Sequence, residues 1–180
     1  MLGLPFLFGV NVQSKPYILV TEFYGIGGQC VTIGHAAKKL SLEAKEWAFI
    51  LEKCERFNSR CDIKHNNIIL KNSADVREPV IIDFGKMKKA ESAKICKLNS
   101  KEQDRYLKYY KHIAPEIIWG RGAPSTASDI YSFGQIISLI VYYTKSTDLQ
   151  KIAKKCIHGT PEKRPKAFNV ALEFKEVSNN

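Results

Sequence analysis

Two short stretches of this chain hold residues that could do chemistry together: Asp62-Ile63-Lys64-His65-Asn66-Asn67 and Asp83-Phe84-Gly85. An apolar, β-type run follows the first, Ile68-Ile69-Leu70, and another precedes the second, Val80-Ile81-Ile82. Residues 72–79 between them are polar and end in Pro79, a composition that closes hairpins. If the runs pair antiparallel, the start of the first lies beside the end of the second. That predicts Asn67 next to Asp83, with Asp62 and Lys64 one turn of loop away. Two carboxylates, an amide oxygen and an ammonium at one strand end suit a Mg²⁺-bound phosphate rather than a hydrophobic ligand.

Other elements must hold this ribbon in place. Leu7–Val10 and Tyr17–Phe23 are β-type runs joined by a short polar connection, which predicts a hairpin. Ser41 to Arg56 predicts a helix with a serine cap, Glu43 and Glu46 in its first turns, and Trp47, Ile50, Leu51 and Cys54 at helical spacing. Asp129 to Tyr143 is apolar on nearly every side, the pattern of a helix buried in the middle of a domain. Two further helices are predicted at Leu149–Cys156 and Pro165–Phe174. Tyr24 to Gly28 has neither the GxGxxG spacing nor a following GK[ST], so a turn is expected there rather than a phosphate loop.

At 180 residues and 44% hydrophobic composition the chain can build one domain with a real core. The five cysteines are odd in number and lack C-x-x-C spacing, which points to free thiols in a reducing compartment, the cytoplasm or the nucleus. The Cys61/His65 and Cys156/His158 pairs lack paired metal-ligand spacing and are read as ordinary surface or core residues. The apolar start, Met1 to Val10, has no basic n-region and is interrupted by Pro5 and Gly9, so it reads as a buried strand rather than a signal peptide. No apolar run reaches the ~20 residues that span a bilayer. The net charge of +10 is concentrated between Lys86 and Lys111, where nine basic residues face only Glu91, Glu102 and Asp104. A solvated loop is expected there, with a surface for an acidic protein partner or another polyanion as the functional reading. Nothing in the chain resembles a DNA-binding motif.

The motifs taken together resemble the eukaryotic protein kinase family. Asp62-x-Lys64-x-x-Asn67 looks like the end of the family's catalytic loop, and Asp83-Phe84-Gly85 like the D-F-G that follows it on the next strand. Ala114-Pro115-Glu116 resembles the motif closing the activation segment. Ser128 to Gly134 resembles the start of the central buried helix, and Lys163-Arg164-Pro165 the late arginine motif. Five signatures stand in the family's order. The resemblance implies an α+β, mainly α fold: a kinase C-lobe organised on a central helix, with a remnant N-lobe hairpin. It makes residues 1–180 one incomplete domain, with 1–24 the remnant strands and hinge and 25–180 the C-lobe. It further implies ATP and Mg²⁺ as cofactors and phosphoryl transfer to Ser/Thr hydroxyls of a protein substrate, because Lys64 follows the aspartate by two. In that assignment Asp62 is the base and Lys64 stabilises the transferred phosphoryl group. Asn67 and Asp83 hold the metal, Thr21, Glu22 and Phe23 lie at the gatekeeper and hinge, and Ile69 and Ile82 flank adenine. Glu116 and Arg164 correspond to a buried structural ion pair, and Asp129 to a structural acceptor.

The chain also departs from the pattern. Arg60-Cys61 stands where the family has His-Arg, and no stretch matches the glycine-rich loop, the lysine of V-A-I-K or its glutamate partner. Only about twenty residues separate the central helix from Arg164, too few for the usual intervening helices. Two functions therefore stay open: an ATP-dependent serine/threonine-type kinase, and a catalytically silent, pseudokinase-like binding module. For the chain as written, little phosphotransfer is expected.

Overall fold

The computed structural model describes residues 6–16, 18–24, 28–55, 63–73, 76–83 and 93–179. They form an α+β fold with two two-stranded antiparallel sheets, among the described residues, and a larger helical body. In chain order the elements are β1 (Leu7–Asn11), β2 (Ile18–Thr21), α1 (Ile33–Lys39), α2 (Ala44–Glu55), β3 (Ile68–Ser73) and β4 (Val76–Ile81). There follow α3 (Ser100–Tyr109), α4 (Pro115–Ile118), α5 (Thr126–Thr144), α6 (Thr147–Cys156), a 3₁₀ turn at Pro161–Lys163 and α7 (Ala167–Asn179). Among the described residues no helix is long and apolar enough to cross a membrane.

The apolar helix predicted near residues 129–143 is α5, and it organises the body. Ser125 and Ser128 form a reciprocal capping box at its start, each hydroxyl accepting from the other's backbone N–H. Ile136, Ile137 and Ile140 are buried along it, while Tyr142 and Tyr143 in the last turn emerge to solvent. Gly134 lets α6 approach closely: a Cβ there would lie 2.7 Å from both Cys156 Cβ and Ile157 Cγ2. Trp47, Leu51, Leu149, Val170 and Phe174 from α2, α6 and α7 complete one continuous core with α5. Burying these side chains supplies most of the folding drive, at roughly 1.5–3 kcal/mol for each large apolar one.

Helix boundaries moved where capping chemistry differs from the sequence spacing. α2 starts at Ala44, not Ser41, because the Glu46 carboxylate turns back to accept from Glu43 N–H at 2.8 Å. Arg56, its predicted end, lies outside the described residues. α7 starts at Ala167, past Pro165, with Lys166 O accepting from Asn169 and Val170 N–H, and it runs on to Asn179. α6 starts at Thr147, where the Ser146 hydroxyl accepts from Leu149 N–H. Three helices were not foreseen, the single-turn α4 among them. α1 is capped by Thr32 Oγ1, and α3 sits in the basic stretch expected to be loop. Its start is fixed by a full capping box in which Asn99 and Glu102 satisfy each other's backbone N–H.

The predicted N-terminal hairpin forms, but its first strand is not buried. Leu7, Phe8 and Val10 on β1 and Ile18, Leu19 and Val20 on β2 are each at least half exposed. β1 pairs with β2 and neither packs extensively on another described element.

Candidate functional site at the end of the β3–β4 ribbon

β3 and β4 pair in a single register from Ile68↔Ile81 to Ser73↔Val76. The strands reach further into residues 72–79 than predicted, and Pro79 lies within β4, opposite Leu70. That proline is tolerated because β4 is an edge strand. Leu70 N–H points the other way, donating to Val31 O at 2.8 Å, so no donor on Pro79 is required. Alternation then sorts the side chains. Ile68, Leu70 and Ile81 enter the main core, whereas Ile69 and Val80 turn to the opposite face and pack with Tyr24.

At the open end of the ribbon, Ile82 N–H donates to Asn67 O at 3.0 Å. Residue 67 is thereby set beside 82, and Asp83 is the next residue along. Asn67 N–H in turn donates to Lys64 O at 2.9 Å, closing the tight turn that carries Lys64 toward the same end. Asn67 is buried, Lys64 half-buried and Asp83 exposed. None of the three is without a partner in the protein. The turn is braced from behind by α1. Gly34 N–H donates to His65 O at 3.3 Å, and a Cβ at Gly34 would lie 2.5 Å from His65 Nδ1. Asp62, Arg60-Cys61 and Phe84-Gly85 lie outside the described residues.

The predicted hinge residues occupy the join between the N-terminal hairpin and the body. Thr21 and Glu22 are half-buried, Phe23 is 65% exposed, and Ile82 is 40% exposed. Glu22 binds Lys71 of β3, Oε1 to Nζ at 3.2 Å, and its Oε2 accepts from Tyr24 OH at 2.6 Å. The Tyr24 hydroxyl also accepts from Phe6 N–H at 3.2 Å. The hydrogen bond from Tyr24, and then that from Lys71, holds the Glu22 carboxyl below its ordinary value. Burial, reinforced by the Glu22 carboxylate, pushes the Tyr24 phenol up. This Glu22–Tyr24–Lys71 cluster was not legible in the sequence. Its acid and base are 49 residues apart, and only the ribbon register brings Lys71 alongside.

Glu116 and Arg164 do meet, in a buried, two-pronged ion pair with both N–O distances at 2.7 Å. Arg164 Nε donates to His158 O and Nη1 to Ala127 O, while its guanidinium lies 5.0 Å from the centre of the Tyr131 ring. Behind the ribbon, on the core side, a cavity of about 440 Å³ is bordered by Cys54, Ile63, Ile68, Ile81, Asp129 and Phe133. Its lining is mostly apolar, unlike the polar strand end on the other side of Ile68.

Asn67 and Asp83 offer an amide and a carboxylate oxygen, hard donors that fit Mg²⁺ and not a soft metal. No family model matches the chain. A stretch of 117 residues, 63% of this chain, is 29% identical to the G-type lectin S-receptor-like serine/threonine-protein kinase SD2-5 of Arabidopsis thaliana. The chain spans 13% of that relative's length. These findings give a kinase-like relationship and no more specific assignment.

Proposed function

We infer that the chain is a serine/threonine-type module of the eukaryotic protein kinase family, typed to hold Mg·ATP at the open end of the β3–β4 ribbon. The observation that carries this reading is the register bond from Ile82 N–H to Asn67 O, which puts residue 67 beside residue 82, one position before Asp83. It is supported by the order of the five motifs, by the buried Glu116–Arg164 pair, and by the similarity to a plant serine/threonine kinase.

In this reading Asn67 and Asp83 hold the metal, which when bound neutralises charge on the phosphates. Asp62 orients the acceptor hydroxyl and accepts its proton, and Lys64 stabilises negative charge on the transferred group. Thr21 to Phe23, Ile69 and Ile82 border the base. Almost all of the protein's contribution is positioning and electrostatics, because phosphoryl transfer leaves little covalent work to side chains.

A second reading, a silent module that binds partners, is favoured by Arg60-Cys61 in place of His-Arg. One set of measurements separates them. Mg²⁺-dependent transfer from labelled ATP to a Ser/Thr peptide library, abolished by Asp62→Ala, establishes the enzyme. A Mg·ADP thermal shift that disappears in Asp83→Ala, without transfer, establishes the silent module. No shift in the native chain overturns the nucleotide site in both.

A further inference from the structure

Residues 93–111 of the basic stretch, which carries most of the chain's excess charge, include α3. From Lys94 to Lys111 there are six cations, Lys94, Lys97, Lys101, Arg105, Lys108 and Lys111, all exposed, against Glu102 and Asp104. Glu102 is already engaged, its carboxylate accepting from Asn99 N–H. Ion pairs tie α2 to β4 and α7, α6 to α7, and Lys71 of β3 to Glu22, yet among the described residues none of these six cations meets a carboxylate.

α3 gives this charge a direction. Gln103, Tyr106 and Tyr110 are half-buried and stand at helical spacing, so they mark the side turned to the body. By backbone position Lys101, Arg105 and Lys108, at i, i+4 and i+7, fall on the opposite side, with the Arg105 guanidinium reaching back to donate to the Tyr110 hydroxyl at 3.5 Å. Lys101 and Arg105 are separated by about 6 Å along the axis, close to the ~6.6–6.8 Å repeat of same-face side chains in an extended chain. Exposed apolar groups flank the stripe: Leu107 is 43% and Tyr109 65% exposed, with Lys108 Nζ 5.1 Å from the Tyr109 ring centre. Beyond the N-terminus of α3, Ile95 is 52% exposed beside Gly120, and the adjoining Trp119 is 42% exposed.

We propose that the outer face of α3 is a docking surface for an extended acidic peptide segment of another protein, with carboxylates on alternate residues and apolar side chains between them. Charge complementarity selects the acid, since six cations that meet no carboxylate among the described residues attract anions and repel basic segments. The apolar flank selects a peptide over a bare polyanion. A membrane surface fits poorly, because α3 exposes only Leu107 and Tyr109 as large apolar groups and has no continuous apolar face. The inference goes beyond the kinase-family reading and does not need phosphoryl transfer.

The test uses the full chain and a fluorescein-labelled twelve-residue peptide alternating Glu or Asp with Leu and lacking any hydroxyl residue, read by anisotropy. Binding should weaken roughly tenfold between low and physiological salt. It should weaken at least about tenfold in Lys101→Gln/Arg105→Gln/Lys108→Gln, substitutions that keep helix propensity. Lys38→Gln/Lys39→Gln/Lys154→Gln removes the same charge from exposed sites elsewhere and should bind as the native chain does. Lys101→Arg/Lys108→Arg, with charge kept, should also bind normally. An unchanged affinity in the α3 triple variant overturns the proposal, as does equal loss in the control triple. Tighter binding to phosphatidylserine vesicles or to a single-stranded oligonucleotide than to the peptide overturns it too.

Discussion

The guanidinium of Arg164 and the carboxylate of Glu116, 48 residues apart in sequence, meet through two parallel hydrogen bonds of 2.7 Å. The pair is buried and joins the start of α4 to the segment between α6 and α7. Its remaining donors go to the His158, Ala127 and Gly159 carbonyls, so the guanidinium is fully used. Removing one partner leaves a buried charge uncompensated. Arg164→Met and Glu116→Gln should each cost about 3–5 kcal/mol, read as lowered midpoints in urea. The double replacement Glu116→Leu/Arg164→Met should cost less than the sum, because neither charge is then stranded. Additive losses would show that the two residues stabilise independently.

Gly134 is the point of closest approach between α5 and α6. A methyl group there falls 2.7 Å from side-chain carbons of Cys156 and Ile157, both on or beside α6. Gly134→Ala improves helix propensity but forces the helices apart. Overpacking should win, with a net loss of about 1–3 kcal/mol in chemical denaturation. A stabilised variant would mean that α6 can shift without penalty.

The Glu22–Tyr24–Lys71 cluster makes attachment of the N-terminal hairpin depend on pH at both ends. Glu22 is held below its ordinary value, so its contribution is present above the unfolded-state pKa and is lost as pH falls through the lowered folded value. Tyr24 is raised, so its contribution is present below the ordinary tyrosine range and is lost as pH climbs through the raised value. Carboxyl NMR should find Glu22 titrating below the chain's solvent-exposed glutamates, and Tyr24→Phe should move it upward. A Glu22 midpoint that ignores Tyr24→Phe would dissolve the cluster.

The thiols should separate cleanly by reactivity. Burial pushes Cys156 up to about 12 and Cys54 up further, while Cys30 and Cys96 are exposed. Mass-mapped alkylation of the native chain near neutral pH should label Cys30 and Cys96 long before Cys54 and Cys156. Early labelling of Cys54 would mean that the apolar cavity behind the ribbon opens readily.

Removing the Asn99 cap tests whether the basic stretch is ordered by its own sequence. Asn99→Ala should cost about 0.5–2 kcal/mol locally, seen as faster amide exchange in residues 100–104 with the α5–α7 core unchanged. Exchange at native rates would mean that packing against α4, not the capping box, holds the helix.

Much of this molecule was determined by local sequence. The run of isoleucines in α5 announced a buried helix because a helix apolar on nearly every side has nowhere else to go. The antiparallel ribbon, and with it the pairing of residue 67 with residue 82, followed from two β-type runs and a short polar connection, since strand pairing has only one compact solution at that length. Asn99-x-x-Glu102 was a readable capping signal for α3, hidden because the surrounding lysines suggested a solvated loop. Other features were decided by tertiary structure alone. Glu22 and Lys71 meet because ribbon register and hairpin placement converge, and no spacing rule connects positions 49 apart. Pro79 enters a strand because its missing N–H faces an open edge, a fact about neighbours and not about proline. The β1 strand is exposed for the matching reason: apolar alternation specifies a face, and only the fold decides whether anything covers it.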